Sequence, residues 1–158
     1  MNEKLFNHID LPKERAHVPS GIAEDLEKEC RDYEELIQRT GQIDVQLLGI
    51  GTNGHIGFNE PGTPFDSRTA IFNLTESTRQ SNARFFNSLD EVPSKAISMG
   101  LGTIMDAKEI VLIVSGKVKA DIMAEVLNTK PTVDVPASVL HLRDHVTVIA
   151  DEEALSKM

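Results

Sequence analysis

The sequence predicts an α/β fold: a Rossmann-like, mostly parallel sheet with helices on both faces. Three observations carry this. Short aliphatic runs at Ile43–Leu48, Ile110–Val114 and His145–Ala150 have the Val/Ile/Leu character of buried parallel strands. Segments of helical pattern separate them, as crossover connections between parallel strands require. The first run leads directly into a glycine-rich loop, Gly49-Ile50-Gly51-Thr52-Asn53-Gly54, at the strand end where open parallel sheets hold their ligands.

The elements follow in order. Met1–Ile9 reads as a short helix, and Leu11–Gly21, with Pro12 and Pro19, as a connection. Ser20 is the expected cap of a helix from about Ile22 to Arg39, whose apolar face is marked by Ile22, Leu26, Tyr33 and Ile37. Strand Ile43–Leu48 and the glycine-rich loop come next. Ile71–Leu74 then reads as extended, Glu76–Asn87 as a helix, and Ala96–Met105 as a helix or helical turn interrupted by Gly100 and Gly102. Strand Ile110–Val114 is followed by an amphipathic helix, Lys117–Leu127. The last strand, His145–Ala150, ends at Asp151, which caps a final turn. Three aliphatic strands are fewer than the five or six of a typical sheet, and the chain opens in helical pattern rather than on a strand. The expectation is that N-terminal strands of the sheet are missing.

A length of 158 residues, 40% apolar, suits one domain spanning residues 1–158, and no repeat or low-complexity segment divides it. With 16 basic against 25 acidic residues and a formal charge of −9, no basic block exists to follow a phosphate backbone, so nucleic acid is not an expected partner. No apolar run approaches the roughly 20 residues of a membrane helix, and no leader is visible at Met1. The single Cys30 cannot form an internal disulfide, and its charged helical setting reads as a bystander thiol. A reducing, cytoplasmic location follows as the expectation. His141 and His145 are four residues apart but fall in a segment of turn and strand, so no metal is expected.

The chemistry centres on His55. Gly49 and Gly51 allow backbone amides to approach a ligand, and an imidazole with an ordinary pKa near 6.5 can give and take a proton near neutrality. A carboxylate such as Glu60 can orient that imidazole and stabilise its charged form. Taken singly, each residue has a plainer reading: loop histidines are commonly structural, and Asn53-Gly54 is an ordinary turn dipeptide. What outweighs these is the combined run Leu47-Leu48-Gly49-Ile50-Gly51-Thr52-Asn53-Gly54-His55-Ile56-Gly57-Phe58-Asn59-Glu60-Pro61, followed by Ser67-Arg68-Thr69.

That run resembles the signature of glucosamine-6-phosphate deaminases, and the resemblance extends over essentially all of the chain. It implies conversion of glucosamine 6-phosphate and water to fructose 6-phosphate and ammonia, a reaction classed as a hydrolysis, without any cofactor. The partner implied is a small amino-sugar phosphate; assembly is left open, a homo-oligomer included. It further implies that His55 moves the ring-opening proton, with Asn53 and Glu60 as catalytic partners in a relay, and that Gly49, Gly51, Arg84 and Lys119 bind substrate, the last two through the phosphate. Lys119 is preferred to Lys117 because it precedes Ala120 as in the family's Lys-Ala pair. In the family the first strands, a phosphate loop and the Asp that removes the C2 proton lie upstream of the matching region. The expectation is therefore a truncated chain, inactive by itself.

Two departures matter. Position 53 is more commonly Asp, and the neutral amide of Asn cannot stabilise an imidazolium as a carboxylate does. The allosteric members carry basic residues where Ala70 and Phe72 stand, so no such activation is expected. Two other functions compete. A 6-phosphogluconolactonase-like hydrolase shares a Gly-His loop, but Phe58-Asn59-Glu60-Pro61 does not fit its pattern. A non-catalytic sugar-phosphate binder is the other.

Overall fold

The computed structural model describes residues 1–158 throughout. Helix α1 (Leu26–Arg39) leads to strand β1 (Val45–Leu48), and after the glycine-rich loop come β2 (Ala70–Asn73) and helix α2 (Glu76–Asn82). Strand β3 (Lys95–Ser98), helix α3 (Leu101–Met105), β4 (Glu109–Val114), α4 (Ala120–Asn128) and β5 (Val146–Ala150) complete the order. Strands β1, β4 and β5 form a parallel sheet in the order β1-β4-β5, with Leu47 beside Val111 and Leu112 beside Val148. A separate antiparallel pair joins β2 to β3, with Ala70 opposite Ser98. The fold is the Rossmann-like, mostly parallel α/β arrangement that the strand pattern predicts.

The core lies on one face of the parallel sheet. Ile110, Leu112 and Val114 point into it and meet Ile104 of α3, Ile122, Met123 and Val126 of α4, and Val139 of a 3-10 helix, Pro136–Leu142. The other face is poorly covered: Val45, Leu47, Ile113 and Ile149 are about half exposed. Helices thus flank the sheet unequally, and this second face presents apolar side chains where a fully wound sheet would be covered.

Several elements differ from their sequence expectations. The residues Met1–Ile9 form a turn and a single 3-10 helix, Phe6–His8, with no buried side chain. Helix α1 starts at Leu26, not near Ile22: Asp25, not Ser20, accepts from the Lys28 amide at 2.8 Å, and Ile22 is 96% exposed. Ser20 uses its backbone amide instead, donating to Glu29 at 2.7 Å. The stretch Ala96–Met105 is divided rather than helical. Its first part pairs as β3, and its helix begins only after Gly100, where an added Cβ would stand 2.3 Å from the Ser67 carbonyl oxygen. The expected helix over Glu76–Asn87 tightens into a 3-10 turn at Ala83–Phe85, and Lys117–Lys119 is likewise 3-10 before α4. The 3-10 helix carrying His141 replaces an expected turn, and His141 Nε2 hydrogen-bonds the Val126 carbonyl at 2.7 Å.

Candidate functional site

Strand β1 ends at Leu48, and residues 49–60 fold back over its carboxyl end. The fold-back is closed by backbone bonds from Gly51 N to the His55 carbonyl at 2.9 Å and from Gly54 N to the Gly51 carbonyl at 3.1 Å. Gly54 has φ +83°, a left-handed conformation that glycine adopts without penalty. Gly51 is required by close approach: a Cβ there would lie 2.2 to 2.6 Å from the His55 ring. The loop is anchored at its far end by Asn59, fully buried, whose Nδ2 donates to the Ile56 and Met99 carbonyls, each at 2.9 Å. Phe58 N donates to Ser98 Oγ at 3.1 Å, tying the same loop to β3.

Within this loop His55, Asn53 and Glu60 form a chain of hydrogen bonds. Asn53 Oδ1 lies 2.7 Å from His55 Nδ1, and Asn53 Nδ2 donates to Glu60 Oε2 at 2.7 Å. A carboxylate only accepts, so the amide must face Glu60 with its nitrogen and His55 with its oxygen. Nδ1 therefore carries the proton, and Nε2 is left with its lone pair. Burial pushes the His55 pKa below its ordinary value; the Glu60 charge raises it and Lys119 lowers it, with burial prevailing. Neutral imidazole is the resting form near neutral pH, and the 3.6 Å approach of Nδ1 to Glu60 Oε2 becomes an ion pair only after His55 accepts a proton.

Glu60 is 8% exposed. Burial pushes its carboxyl pKa up, but hydrogen bonds from Thr78, Asn53 and Thr75, together with the His55 charge, hold it below the ordinary carboxylate value. Thr78 Oγ1 donates to Glu60 Oε1 at 2.5 Å, and Thr75 Oγ1 lies 3.1 Å from the same oxygen. These threonines belong to the start of α2 and are not evident as site residues in the sequence. A Thr-x-x-Thr pair opening a helix announces a cap, not a contact with a carboxylate 15 or 18 residues earlier.

The relay borders a cleft of about 410 Å³ lined by Gly49, Gly51, Asn53 and His55 on one side and by Ser77, Thr78, Ser81, Asn82 and Arg84 on another, with Lys119 completing the rim. Such a volume suits a small polar molecule. Every residue expected from the sequence to bind or react, other than the buried Glu60, thus lines one hollow. Lys117 does not line it, whereas Lys119 does and has its pKa lowered by burial. Arg84 is exposed and stacks over the Phe85 ring at 4.8 Å. No carboxylate lines the cleft. A larger hollow of about 910 Å³ beside residues 1–18 is mostly apolar, with Lys13 as its only charged side chain, and offers no comparable chemistry. Cys30 is buried in α1, and burial pushes its thiol pKa up, consistent with an inert thiol. No helix is long and apolar enough to cross a membrane.

Residues 1–149 match the family described as glucosamine-6-phosphate isomerases/6-phosphogluconolactonase. A glucosamine-6-phosphate deaminase of Shouchella clausii (strain KSM-K16) is 57% identical over 156 residues, covering 99% of this chain and 63% of that protein. A solved monomeric glucosamine-6-phosphate deaminase superposes with a TM-score of 0.97 at 53% identity, covering all of this chain and 66% of that one. The 6-phosphogluconolactonase of Thermotoga maritima shares the fold at a TM-score of 0.68 but only 21% identity, over 94% of this chain and 61% of its own. The chain spans less than two thirds of the length of the curated relatives it matches. With its fold, its signature loop and this match over nearly its whole length, the chain belongs to the glucosamine-6-phosphate isomerase/6-phosphogluconolactonase family, and its similar relatives are deaminases.

Proposed function

We propose that residues 1–158 form one unit carrying the ring-opening and phosphate-holding part of a cytoplasmic glucosamine-6-phosphate deaminase. The observation that supports this best is the His55–Asn53–Glu60 relay at the edge of a cleft whose cations are Arg84 and Lys119. In this reading Arg84 and Lys119 hold the phosphate, and the backbone at Gly49 and Gly51 lies against the sugar. His55 Nε2 takes the proton of the C1 hydroxyl as the C1–O5 bond breaks, and returns it to O5, leaving the open-chain aldehyde. The imidazolium formed in between faces the Glu60 carboxylate at 3.6 Å. Glu60 thus supplies the negative charge that the neutral Asn53 lacks, which removes the difficulty posed by Asn at this position.

The remaining steps move a proton from C2 to C1 and let water displace ammonia from the resulting ketimine. The reaction is thus an isomerisation coupled to deamination, and hydrolysis describes its last step alone. Proton removal from C2 calls for a carboxylate base, and the cleft has none among its lining residues. The chain by itself is accordingly a binder of amino-sugar phosphate that turns it over far more slowly than an intact deaminase. With Ala70 and Phe72 in place of cations, no activating sugar phosphate is bound there.

Calorimetry of the 158-residue chain with glucosamine 6-phosphate and with fructose 6-phosphate tests this. Binding is expected, with Arg84→Met weakening it about tenfold or more, the value of a charge-assisted hydrogen bond. Absence of binding to both ligands overturns the reading. Ammonia release at a rate typical of an intact enzyme overturns the assignment of the C2 base outside this cleft.

A further inference from the structure

Thr78 has no task in its own helix that calls for a hydroxyl. The N-cap of α2 is Thr75, whose side chain accepts from the Thr78 amide at 3.2 Å. Thr78 stands at the third helical position, where a capping box would place Glu or Gln reaching back to the cap. Here that position holds a short β-branched residue, 3% exposed, with its hydroxyl on Glu60 Oε1 at 2.5 Å. A carboxylate cannot donate, so the Thr78 hydroxyl proton lies in this bond. Thr75 Oγ1 is 3.0 Å from Thr78 Oγ1 and 3.1 Å from the same carboxylate oxygen. Glu60 is therefore held at both ends, one oxygen by the threonines and the other by Asn53.

We propose that Thr78 is a positioning residue: its hydroxyl, backed by Thr75, fixes the Glu60 carboxylate so that its free oxygen meets Asn53 and, through Asn53, orients His55. The threonine acts through Glu60 and touches no reacting atom. It also sets the register between the two halves of the cleft, because α2 presents Ser77, Thr78, Ser81 and Asn82 along its rim and leads into the turn bearing Arg84. The role in catalysis rests on the function proposed above, but the clamp itself does not depend on substrate.

The test is therefore made without sugar phosphate, by NMR titration of the 158-residue chain with labelled glutamate and histidine. The charged groups facing the relay are Lys119, ahead of α4, and Arg84, after α2, and neither is altered. Thr78→Val preserves shape and removes the hydroxyl. It is expected to raise the midpoint of the Glu60 carboxyl titration by about one pH unit, the equivalent of one hydrogen bond to a charged group. The His55 Nδ1 proton resonance, protected while bonded to Asn53, is expected to broaden by exchange. Thr78→Ser, which keeps the hydroxyl, is expected to retain both wild-type readings. If Thr78→Val does not fold, Thr78→Ala is read in its place against the same serine control. An unchanged Glu60 midpoint in the hydroxyl-free variant overturns the proposal, and so does an equal shift in Thr78→Ser. Failure of the chain to bind a sugar phosphate would leave these readings intact, so the two proposals fail separately.

Discussion

At the scale of single residues, the amide of Asn53 decides which histidine nitrogen is free. Facing a carboxylate on one side, it can offer only its oxygen to His55, and the proton is placed on Nδ1 for that reason. Gly51 decides where the ring can lie. Gly51→Ala puts a methyl within 2.2 Å of ring carbon, so the expected outcome is a displaced His55 side chain on an otherwise retained fold, seen as shifted ring resonances with native far-UV dichroism. The two titrating partners also contribute to the acid sensitivity of the fold. Burial lowers the His55 pKa from its ordinary 6.5, so on acidification the unfolded chain takes up this proton before the folded chain does. The contribution is complete above pH 6.5 and is lost as pH falls toward the folded value. Glu60 is also depressed, from 4.5: burial opposes the shift, but the Thr78, Asn53, His55 and Thr75 interactions prevail. Its contribution is complete above pH 4.5 and is lost below it. Thermal unfolding midpoints should therefore fall in two stages on acidification, and Glu60→Gln should remove the lower stage while deepening the upper one, because it takes away the charge that raises the His55 pKa.

At the scale of elements, helix starts turn on which side chain reaches an orphan amide. Ser20 and Asp25 both precede the amphipathic run of α1, and both are good caps in isolation. Written as a string, the apolar pattern includes Ile22, yet that side chain is 96% exposed and the helix starts after Asp25. Asp25→Ala is expected to cost about 1 kcal/mol in denaturant unfolding, whereas Ser20→Ala, which leaves the backbone bond to Glu29 in place, should cost less than about 0.5 kcal/mol. The stretch Ala96–Met105 shows a second limit. Its first residues are apolar and short in number, a pattern shared by strand and buried helix. Pairing with β2 selects the strand, and β2 lies more than twenty residues earlier. The long aliphatic runs at β1, β4 and β5 carry no such ambiguity.

At the scale of the whole molecule, one sheet face forms the core and the other remains largely bare. Leu112 and Ile113 are neighbours in β4, yet they are 1% and 48% exposed. Leu112→Ala should cost about 2 to 5 kcal/mol through lost burial and a cavity, and Ile113→Thr less than about 0.5 kcal/mol. Urea unfolding of the two variants checks this pair. Equal costs would mean that the second face is covered in solution. The site is distributed at this same scale: the loop after β1, the start of α2 and the turn before α4 each contribute one wall.

The amino-acid order alone discloses whatever is written in contiguous residues. Parallel strands follow from unbroken aliphatic runs, and the position of His55 follows from a glycine-rich loop at a strand end. The pairing of His55 with Asn53 and Glu60 was legible because all three lie within eight positions of one motif. Contacts between segments far apart in the chain emerge only in the folded molecule. The threonines on Glu60 and the unequal faces of the sheet depend on how separate elements dock. Local periodicity carries no term for that docking, since hydrogen bonds and burial between distant segments exist only once the chain has closed on itself.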